Sequence, residues 1–487
     1  MGHKRRPPFG LERSKPHFDL RHERRPPPEE LGPVTAFAES GAQRLGTLDE
    51  RYRTFRGDDP SSDGTSQKGC AGFHDHQRVG ALVDRQTRHH AAIQFAFDAC
   101  ATYGTHSCAR DEIEAAVTLN HFDSEVEGTL RNGVGHAIMQ CTTALVLAAE
   151  VIHRAMRVAV VGATGAVGRE FPRLLEQRGF PVDELRLFAG PRSAGCALTF
   201  RGTQLLVEEV RADSFQGIDL AFFSAGAARS RAYAPMANAA GALVVDNSSA
   251  FRMDERVPLV VPEINPETMT AADRLVAVPN CSAILLLMAV APLRSLGSIA
   301  RIVVSTYQSA SGAGAAAMAE LMDQTRAVLE GATPEPKVLP HPYAFNLFSH
   351  NTPINEHGFN EEESKVIEES RKILRMPNLA INVTCVRVPV LRAHSESITV
   401  EFSGPAPSVE AVRARLEVAP GVRVVDDRER NIFPMPLDAS GIDEVLVGRI
   451  RRDMSHPSAI CLFACGDQLL KGAALNAVQI AELAGSL

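Results

Sequence analysis

The sequence predicts an α/β protein in which a doubly wound parallel sheet is followed by a second, mixed α/β domain. Three observations support this prediction: the composition changes near Met156, short apolar runs alternate with helical segments after it, and longer β-rich runs follow residue 283. A length of 487 residues allows two or three domains. The content of 45% hydrophobic and 22% charged residues is typical of a soluble globular chain.

The part of the chain before Met156 is predicted to be an N-terminal extension. Residues 1 to about 90 are rich in Arg, His, Pro, Gly and Ser, which cannot bury enough apolar surface to offset chain entropy. Residues 91–155 contain more alanine but show no clear helical period. We therefore expect residues 1–155 to be mostly disordered or weakly helical. Because Met156 directly precedes the first strand, we hypothesise that it is the natural start; peptides from 1–155 in native protein would contradict this.

From Met156 onward, strands and helices alternate. Val158–Val161 is a short, fully apolar run, as expected for a central parallel strand, and a helix is predicted over Val167–Arg178. Further strands are predicted at Leu185–Phe188, Leu220–Phe223, Leu243–Asp246 and Leu275–Val278. This alternation of strands and helices predicts a doubly wound domain over residues 156–282.

The pattern of apolar residues changes after residue 283. Long β-rich runs occur at Ile302–Gln308, Ala380–Leu391 and Ser397–Phe402, and they predict a mixed α/β domain over residues 283–465. The last helix, Ala473–Leu483, is amphipathic. We expect it, within residues 466–487, to return to and complete the first domain.

A glycine-rich loop joins the first strand to the first helix. Gly162, Gly165 and Gly168 allow a tight turn, close approach of the backbone to a pyrophosphate, and close packing of helix and strand. The helix N-terminus then offers N–H groups to the phosphates. Because this loop lies between an apolar strand and a helix, it predicts a Rossmann-type dinucleotide site. The candidate contacts are Gly162, Thr164, Gly165, Ala166, Val167 and Gly168.

The end of the second strand indicates which dinucleotide is bound. NAD-binding proteins usually have an acidic residue there to hold the ribose hydroxyls, but Phe188-Ala-Gly-Pro-Arg-Ser-Ala-Gly contains none. Arg192 and Ser193 could instead hold a 2′-phosphate by charge-assisted hydrogen bonds. The sequence therefore favours NADP, although Arg192 as a simple turn residue is the alternative.

One cysteine lies where a helix should begin. Asn280 is a good N-cap and places Cys281 in the first turn of an apolar helix, where the helix dipole should lower the pKa of the thiol. A thiolate there could attack an aldehyde and form a thioester after hydride loss. Backbone N–H groups at the helix start are expected to stabilise the oxyanion. A buried, unreactive cysteine is the alternative.

Bulk properties exclude several other classes of function. The formal net charge of −7 does not favour a nucleic-acid partner, and no apolar run has the length of a membrane span. The nine cysteines contain no CxxC pair, so we expect free thiols in a reducing compartment and no metal site.

Five motifs resemble, in the same order, those of bacterial aspartate-semialdehyde dehydrogenases. They are Gly162-Ala-Thr-Gly-Ala-Val-Gly, Pro279-Asn-Cys-Ser, Ser305-Thr-Tyr-Gln-Ser-Ala-Ser-Gly-Ala-Gly, Cys385-Val-Arg-Val-Pro-Val and Lys471-Gly-Ala-Ala-Leu-Asn-Ala-Val-Gln. The resemblance extends from Met156 to the C-terminus and does not include residues 1–155. It implies that the second domain is a catalytic and dimerisation domain.

The resemblance also implies a reaction. Members of this family interconvert L-aspartate 4-semialdehyde plus phosphate and L-aspartyl 4-phosphate, with NADP, through a cysteine thioester. This step leads to lysine (through diaminopimelate), methionine and threonine. A cytoplasmic homodimer with small-molecule substrates, and with no nucleic-acid or membrane partner, is the implied setting.

The family's functional residues can be matched to this sequence by position. Cys281 matches the nucleophile and His394 the acid/base histidine, which takes the thiol proton. Gln308 matches a substrate-positioning residue beside the nucleophile. Arg387 matches the arginine that binds the substrate carboxylate. The remaining matches are Arg252, Asn280 and Lys365 at the phosphate, Glu362 at the substrate ammonium, and Ser311, Gly312 and Asn476 near the cofactor.

Three questions stay open at this level. Glu361, Glu362 and Glu363 are consecutive, so the alignment can slip by one residue. A related enzyme, N-acetyl-glutamyl-phosphate reductase, has the same fold, cysteine and histidine, but its substrate has no ammonium and would not need Glu362. A catalytically silent binding protein on this fold is the third class, which the presence of Cys281 and His394 disfavours.

Overall fold

The computed structural model describes residues 155–486, and these contain two seven-stranded sheets. The predictions made for residues 1–154 lie outside this range. The first sheet has the order β3-β4-β2-β1-β5-β6-β7, and its neighbours are parallel except in the β3–β4 hairpin. Its strands are β1 (Met156–Val161), β2 (Val182–Ala189), β3 (Ala197–Phe200), β4 (Thr203–Glu209), β5 (Leu220–Phe223), β6 (Leu243–Asp246) and β7 (Leu275–Ala277).

Three helices accompany the first sheet and connect it to the second. They are α1 (Glu170–Gln177), α2 (Ala227–Ala239) and α3 (Cys281–Val290). The predicted doubly wound domain is confirmed, and all five predicted strands are present. The β3–β4 hairpin and α2 were not predicted. Helix α1 begins at Glu170 rather than at residue 167, because the glycine loop continues as turns through Arg169.

The second sheet is mixed and has the order β12-β13-β14-β11-β8-β10-β9. Its strands are β8 (Ile299–Gln308), β9 (Phe348–Ser349), β10 (Ala380–Arg387), β11 (His394–Phe402), β12 (Val422–Val424), β13 (Val445–Arg452) and β14 (Ala459–Gly466). The remaining helices are α4 (Ala315–Leu329), α5 (Glu361–Leu374), α6 (Val409–Glu417), α7 (Pro436–Ala439) and α8 (Leu475–Ser486). The predicted mixed second domain is confirmed.

Three predicted strand limits in this sheet were wrong, and one of them is the start of β8, which begins at Ile299 rather than at residue 302. The strand expected over 380–391 ends at Arg387, because Pro389 has no N–H to donate to a ladder. The chain instead turns, and Ala310 and Ser311 donate backbone hydrogen bonds to the carbonyls of residues 390 and 391. Strand β11 begins at His394, three residues earlier than expected.

Strand register brings three polar residues to one edge of the second sheet. Gln308 ends β8 and is the parallel partner of Arg387, which ends β10. β11 runs antiparallel to β8, with Ser395 opposite Tyr307, so its first residue, His394, starts beside the end of β8. This edge is the structural basis of the site described below.

Two helices link this edge to the first sheet. Helix α3 is buried from Ser282 to its end, with Cys281 half-buried, and it packs against α5, β11 and β14. Helix α8 packs against α1 and β6, and Arg178 forms an ion pair with Glu482 at 2.7 Å. The last helix thus contacts two elements of the first sheet's layer, and it starts at Leu475, after a π-turn over Leu470–Ala474. Within residues 155–486, no helix is long and apolar enough to cross a membrane.

Candidate active site

The glycine loop forms one wall of an open cavity of about 360 Å³. At Gly162 the backbone has φ = 90°, and an added Cβ would collide with the carbonyl of Ser224. At Gly168 a Cβ would collide with the carbonyl oxygen of Gly162. These two positions therefore require glycine, one for the turn and one for close packing of the helix. Gly162, Thr164 and Gly165 line the cavity, while Ala166 is buried below it.

The opposite wall of the cavity carries positive charge. Gly190, Arg192 and Ser193 line it, in the segment that follows β2. Arg229, in the first turn of α2, lines the same cavity and was not identified from the sequence. Its guanidinium lies against Gly190, where an added Cβ would be 3.3 Å from Nη2. Backbone, hydroxyl and guanidinium donors thus surround a space that suits a phosphorylated dinucleotide.

Asn280 caps the helix that carries the cysteine, as the sequence predicted. Its Oδ1 accepts hydrogen bonds from the backbone N–H groups of Ser282 at 2.9 Å and Ala283 at 3.2 Å. These two donors are therefore used by the cap, and the expectation that backbone N–H groups near the helix start stabilise an oxyanion stays a prediction. The Nδ2 atom of Asn280 donates to Glu362 at 2.8 Å, so both amide atoms have partners within the protein.

The predicted lowering of the Cys281 pKa is wrong. Burial of the thiol and the nearby Glu362 raise the pKa of Cys281 to about 12, against the opposing effect of Arg252 and Arg387. A helix N-terminus contributes about 0.3–1 kcal/mol, or up to about 2 in partly buried sites. This is less than the roughly 4 kcal/mol represented by such a raised pKa. Cys281 is therefore a thiol in the unliganded protein.

Cys281 lies against the π-turn. An added Cβ at Gly472 would be 2.9 Å from the Cβ of Cys281 and 3.2 Å from the Cβ of Gln468. Only glycine therefore fits between this turn and the cysteine. The Lys471-Gly motif of the sequence thus packs directly on the candidate nucleophile.

His394 is fully buried and holds a defined tautomer. Its Nδ1 accepts the backbone N–H of Ser309 at 3.0 Å, so the proton of the neutral imidazole lies on Nε2. Nε2 has no hydrogen-bond partner among residues 155–486. Burial, Arg387 and His350 lower the pKa of His394 well below its usual value, which favours the neutral ring. In this tautomer Nε2 is a hydrogen-bond donor; a base would need an unprotonated Nε2.

The loop after β8 packs tightly on this histidine. An added Cβ at Gly312 would be 2.8 Å from His394 Cε1 and 3.1 Å from Arg387 Nη1. Ser311 is buried, and its Oγ contacts Ser309 and accepts a hydrogen bond from Gln468. Gln308 donates from Nε2 to the Oγ of Ser282 at 2.9 Å, which ties the sheet edge to the first turn of α3.

Arg387 is buried beside His394 and is held at both ends of its guanidinium. Nη1 donates to the carbonyl oxygen of Ser309 at 3.0 Å, and Nη2 donates to Nε2 of His350 at 2.9 Å. Its Nε is buried and has no partner in the described part of the chain. An arginine whose Nε–H is buried without an acceptor is suited to receive a carboxylate.

The structure distinguishes the three consecutive glutamates at the start of α5. Glu363 closes a capping box with Asn360, and its Oε1 accepts the backbone N–H of Cys385 at 2.9 Å. Glu361 points outward and pairs with Lys365 at 2.8 Å. Glu362 faces Asn280, and Lys365 is 3.9 Å from its second oxygen. Glu362 is thus the one that lies at the N-terminus of α3.

Two further charged residues hold this region together. Arg252 is buried and donates from its three nitrogens to Val278 O, Glu369 and Asn247 O, at 2.9, 3.1 and 2.8 Å. Glu369 also accepts the backbone N–H of Asn280 at 2.5 Å. Two of the five N–H groups of Arg252 are left over, so it could still contact an anion. Glu369 was not identified from the sequence.

Asn476, which the resemblance placed near the cofactor, is fully buried. Its Nδ2 donates to the carbonyl of Val260 at 2.9 Å, and its Oδ1 accepts from Lys471 at 3.0 Å. Lys471 is also buried and forms an ion pair with Glu263 at 2.5 Å. In this structure Asn476 thus holds Lys471 of the π-turn through Oδ1 and the carbonyl of Val260 through Nδ2.

Sequence reasoning missed three residues of the site: Arg229, His350 and Glu369. Arg229 and Glu369 carried no motif and resemble ordinary surface charges in a sequence. His350 follows β9, a strand of only two residues that has no clear pattern. The spacing of Glu362 and Glu369, two helical turns apart, was the one signal that could have identified Glu369.

The two domains of the fold are those of a semialdehyde dehydrogenase. The family model described as semialdehyde dehydrogenase, NAD binding domain, matches residues 157–272, and the model of the semialdehyde dehydrogenase dimerisation domain matches residues 290–471. A Synechocystis relative named aspartate-semialdehyde dehydrogenase is 55% identical over 328 residues, which are 67% of this chain and 97% of the relative. The chain belongs to the aspartate-semialdehyde dehydrogenase family.

Other relatives and solved structures agree. The Bacillus subtilis aspartate-semialdehyde dehydrogenase is 44% identical over 336 residues, which are 68% of this chain and 97% of the relative. The solved structure of aspartate semialdehyde dehydrogenase II complexed with ASA from Vibrio cholerae matches with 42% identity and a TM-score of 0.65. The match covers 68% of this chain and 98% of that one.

Proposed function

We propose that this protein interconverts L-aspartate 4-semialdehyde plus phosphate and L-aspartyl 4-phosphate, with NADP, through a thioester on Cys281. The observation that carries the proposal is the sheet edge at which Gln308, Arg387 and His394 meet, next to the N-terminus of the helix that begins with Cys281. Family membership agrees with it, because the relatives carry the name of this activity.

His394 acts as a hydrogen-bond donor in this mechanism. In the reductive direction, Sγ of Cys281 attacks the acyl carbon, and Nε2–H of His394 donates to the oxygen that becomes negative. The phosphate leaves with the thiol proton, and a thioester remains. When the thiohemiacetal later collapses and releases the aldehyde, the sulfur of Cys281 takes up a proton from solvent, and His394 keeps its proton on Nε2 throughout. A neutral, buried imidazole with its proton on Nε2 suits this role.

The charges of the site match those of the substrate. Arg387 would bind the carboxylate through its buried Nε–H, and Glu362 would bind the ammonium. Arg252, Lys365 and Asn280 would surround the phosphate, while Gln308 positions the substrate beside Ser282. The position of Glu362 favours an amino-acid substrate over an N-acetylated one, whose nitrogen carries no charge.

The cavity beside the glycine loop would hold the dinucleotide. The positions of Gly162 and Gly168, where a Cβ would collide with backbone, fit a loop that must approach a pyrophosphate. When bound, the reduced dinucleotide supplies the hydride that converts the thioester to the aldehyde level. Arg192 and Ser193 would select NADP by holding its 2′-phosphate, and Arg229 lines the same cavity. Gly312, which lies against His394, and Ser311, which contacts Ser309, would support the nicotinamide end.

The wider setting follows from the proposed reaction. Aspartate semialdehyde is a branch point toward lysine (by way of diaminopimelate), methionine and threonine, so a cytoplasmic biosynthetic enzyme is proposed. The matched dimerisation domain supports a homodimer. The proposed domain arrangement is 156–282, completed by residues 466–487, for NADP, and 283–465 for catalysis and dimerisation.

The proposal is tested by phosphate-dependent NADP reduction with aspartate semialdehyde, on the wild type and on Cys281→Ala. Activity should be present in the first and reduced at least 10⁴-fold in the second, because the covalent route is lost. Cys461→Ala, which changes a cysteine remote from the sheet edge, is the matched control. Equal activity in Cys281→Ala, or activity only with the N-acetyl-glutamyl substrate, would contradict the proposal.

A further inference from the structure

His350 occupies a position behind Arg387 that the proposed mechanism does not use. It directly follows β9, is buried, and donates its backbone N–H to the carbonyl of Cys385 at 2.9 Å. Its backbone is therefore fixed to β10, two residues before that strand ends at Arg387. Its Nε2 lies 2.9 Å from Nη2 of Arg387, and its Nδ1 lies 3.3 Å from the hydroxyl of Thr352.

The direction of the hydrogen bond follows from chemistry. A guanidinium has donors only, so Nε2 of His350 must be the acceptor. The proton of the neutral ring is then on Nδ1, facing the Thr352 hydroxyl. That hydroxyl also accepts the backbone N–H of Glu362 at 3.3 Å. Burial lowers the pKa of His350 to about 4, with Arg387 and Lys365 acting in the same direction against Glu362 and Glu361, so the ring remains an acceptor at neutral pH.

These contacts leave Arg387 with a defined orientation. Ser309 O holds Nη1 and His350 holds Nη2, so the two terminal nitrogens of the guanidinium are both fixed. Nε stays buried and has no acceptor among the residues that the structure describes. With one of the two anchors removed, the planar group could rotate about its remaining bond, and Nε would no longer point in one direction.

We propose that His350 is a positioning residue, which holds Arg387 so that its Nε–H is presented to the α-carboxylate of the substrate. This inference rests on the proposed function, because it assigns the carboxylate to Arg387. It goes further by making recognition of that carboxylate depend on a neutral histidine acceptor behind the arginine. His350 itself does not touch the substrate.

The test compares His350→Leu, which removes the acceptor, with His350→Gln, whose amide oxygen can accept the same hydrogen bond. Each variant is assayed with aspartate semialdehyde and with 3-aminopropanal, which has the aldehyde and the ammonium but no carboxylate. In His350→Leu we expect kcat/KM for the semialdehyde to fall at least tenfold, mainly through KM. For 3-aminopropanal the change should be less than threefold, and KM for phosphate should stay constant. His350→Gln should return the semialdehyde value to within about threefold of wild type.

Several results would overturn the inference. Equal losses on both substrates, or no recovery in His350→Gln, would indicate a merely structural histidine. Additive losses in His350→Leu combined with Arg387→Lys would show that the two residues act separately. If wild type has no activity on the semialdehyde, the proposed function fails instead. Nitrogen NMR then still tests the hydrogen bond: His350 should carry its proton on Nδ1, and a proton on Nε2 would contradict the positioning role.

Discussion

Two opposing influences act on the side chain of Cys281. The residue is in the first turn of an apolar helix, where the dipole favours a negative charge. It is also enclosed by Gly472, Asn280 and the sheet edge, and Glu362 is nearby. Burial is the larger effect, so the resting side chain is a thiol. It becomes a good nucleophile only when another group accepts its proton. The leaving phosphate would be that proton acceptor.

Alkylation of the unliganded protein should therefore be slow at Cys281. At pH 7.5 we expect iodoacetamide to modify the exposed Cys196 first, as followed by peptide mass spectrometry. Since the pKa of Cys281 is about 12, its rate should rise about tenfold per pH unit through pH 9 without reaching a plateau. Glu362→Gln should raise the rate at fixed pH, because it removes a charge that opposes the thiolate.

The matched control for that experiment is Glu361→Gln. Glu361 neighbours Glu362 but points outward toward Lys365, so this change should leave the rate at Cys281 nearly constant. A plateau in the wild-type rate below pH 9 would show that the thiol has a much lower pKa, and our account of burial would be rejected.

At the scale of elements, helix α5 holds the N-terminus of helix α3 in place through hydrogen bonds. Glu362 and Glu369 are seven residues apart and lie on one face of α5, and both accept hydrogen bonds from Asn280. Glu369 also pairs with the buried Arg252. One helix thereby fixes the N-cap of another, and the cysteine next to that cap is held in place.

Glu369→Gln should impair both stability and catalysis. The change replaces a charged acceptor with an amide that cannot accept from Arg252 and Asn280 equally well. Weakening a buried hydrogen bond to a charged group costs about 1.5–3 kcal/mol. We expect a lower melting temperature and at least a tenfold loss in kcat/KM, measured by calorimetry and by the coupled assay.

Glu368→Gln is the control, because Glu368 is the preceding residue of the same helix and is exposed. It should match wild type in both measurements. If Glu369→Gln melts lower but keeps full kcat/KM, α5 stabilises the fold without positioning the nucleophile.

At the scale of the whole molecule, the second sheet carries a fully buried carboxyl group that the site does not use. Glu396 is fully buried on β11, and both of its oxygens have no partner within residues 155–486. Burial raises the pKa of Glu396 well above its usual value. The folded protein therefore keeps a proton that the unfolded chain releases above about pH 4.3.

This difference makes stability dependent on pH. Above about pH 4.3 the unfolded state binds fewer protons than the folded state, so the contribution of Glu396 to stability decreases as pH rises. Glu396→Gln carries no proton to lose and should melt higher than wild type at pH 7.5. The difference should shrink toward zero near pH 4.5, as measured by scanning calorimetry at both values.

The exposed Glu417, on α6, provides the control for this measurement. Glu417→Gln should change the melting temperature little at either pH. A Glu396→Gln variant that melts below wild type at pH 7.5 would indicate that the carboxylate is charged and has partners, which would contradict the burial argument.

The elements that the sequence predicted best are those set by local patterns. The run Val158–Val161, the glycines that follow it and the N-cap Asn280 each depend on neighbours within a few residues, and all three are present as predicted. The resemblance supplied His394, Arg387 and Glu362 by position alone. The limits of β10 and β11 were missed because the turn between them is stabilised by the distant loop after β8.

The sequence by itself therefore determined the two α/β domains, the dinucleotide loop and the cysteine at a helix start, because steric and periodic constraints act locally along the chain. Only the tertiary structure decided the pKa direction of Cys281, the tautomer of His394, which of three glutamates faces Asn280, and the place of His350 behind Arg387. These properties depend on burial and on partners 37 to 89 residues apart in the chain, such as His350 with Arg387 and Asn280 with Glu369, which no local pattern encodes.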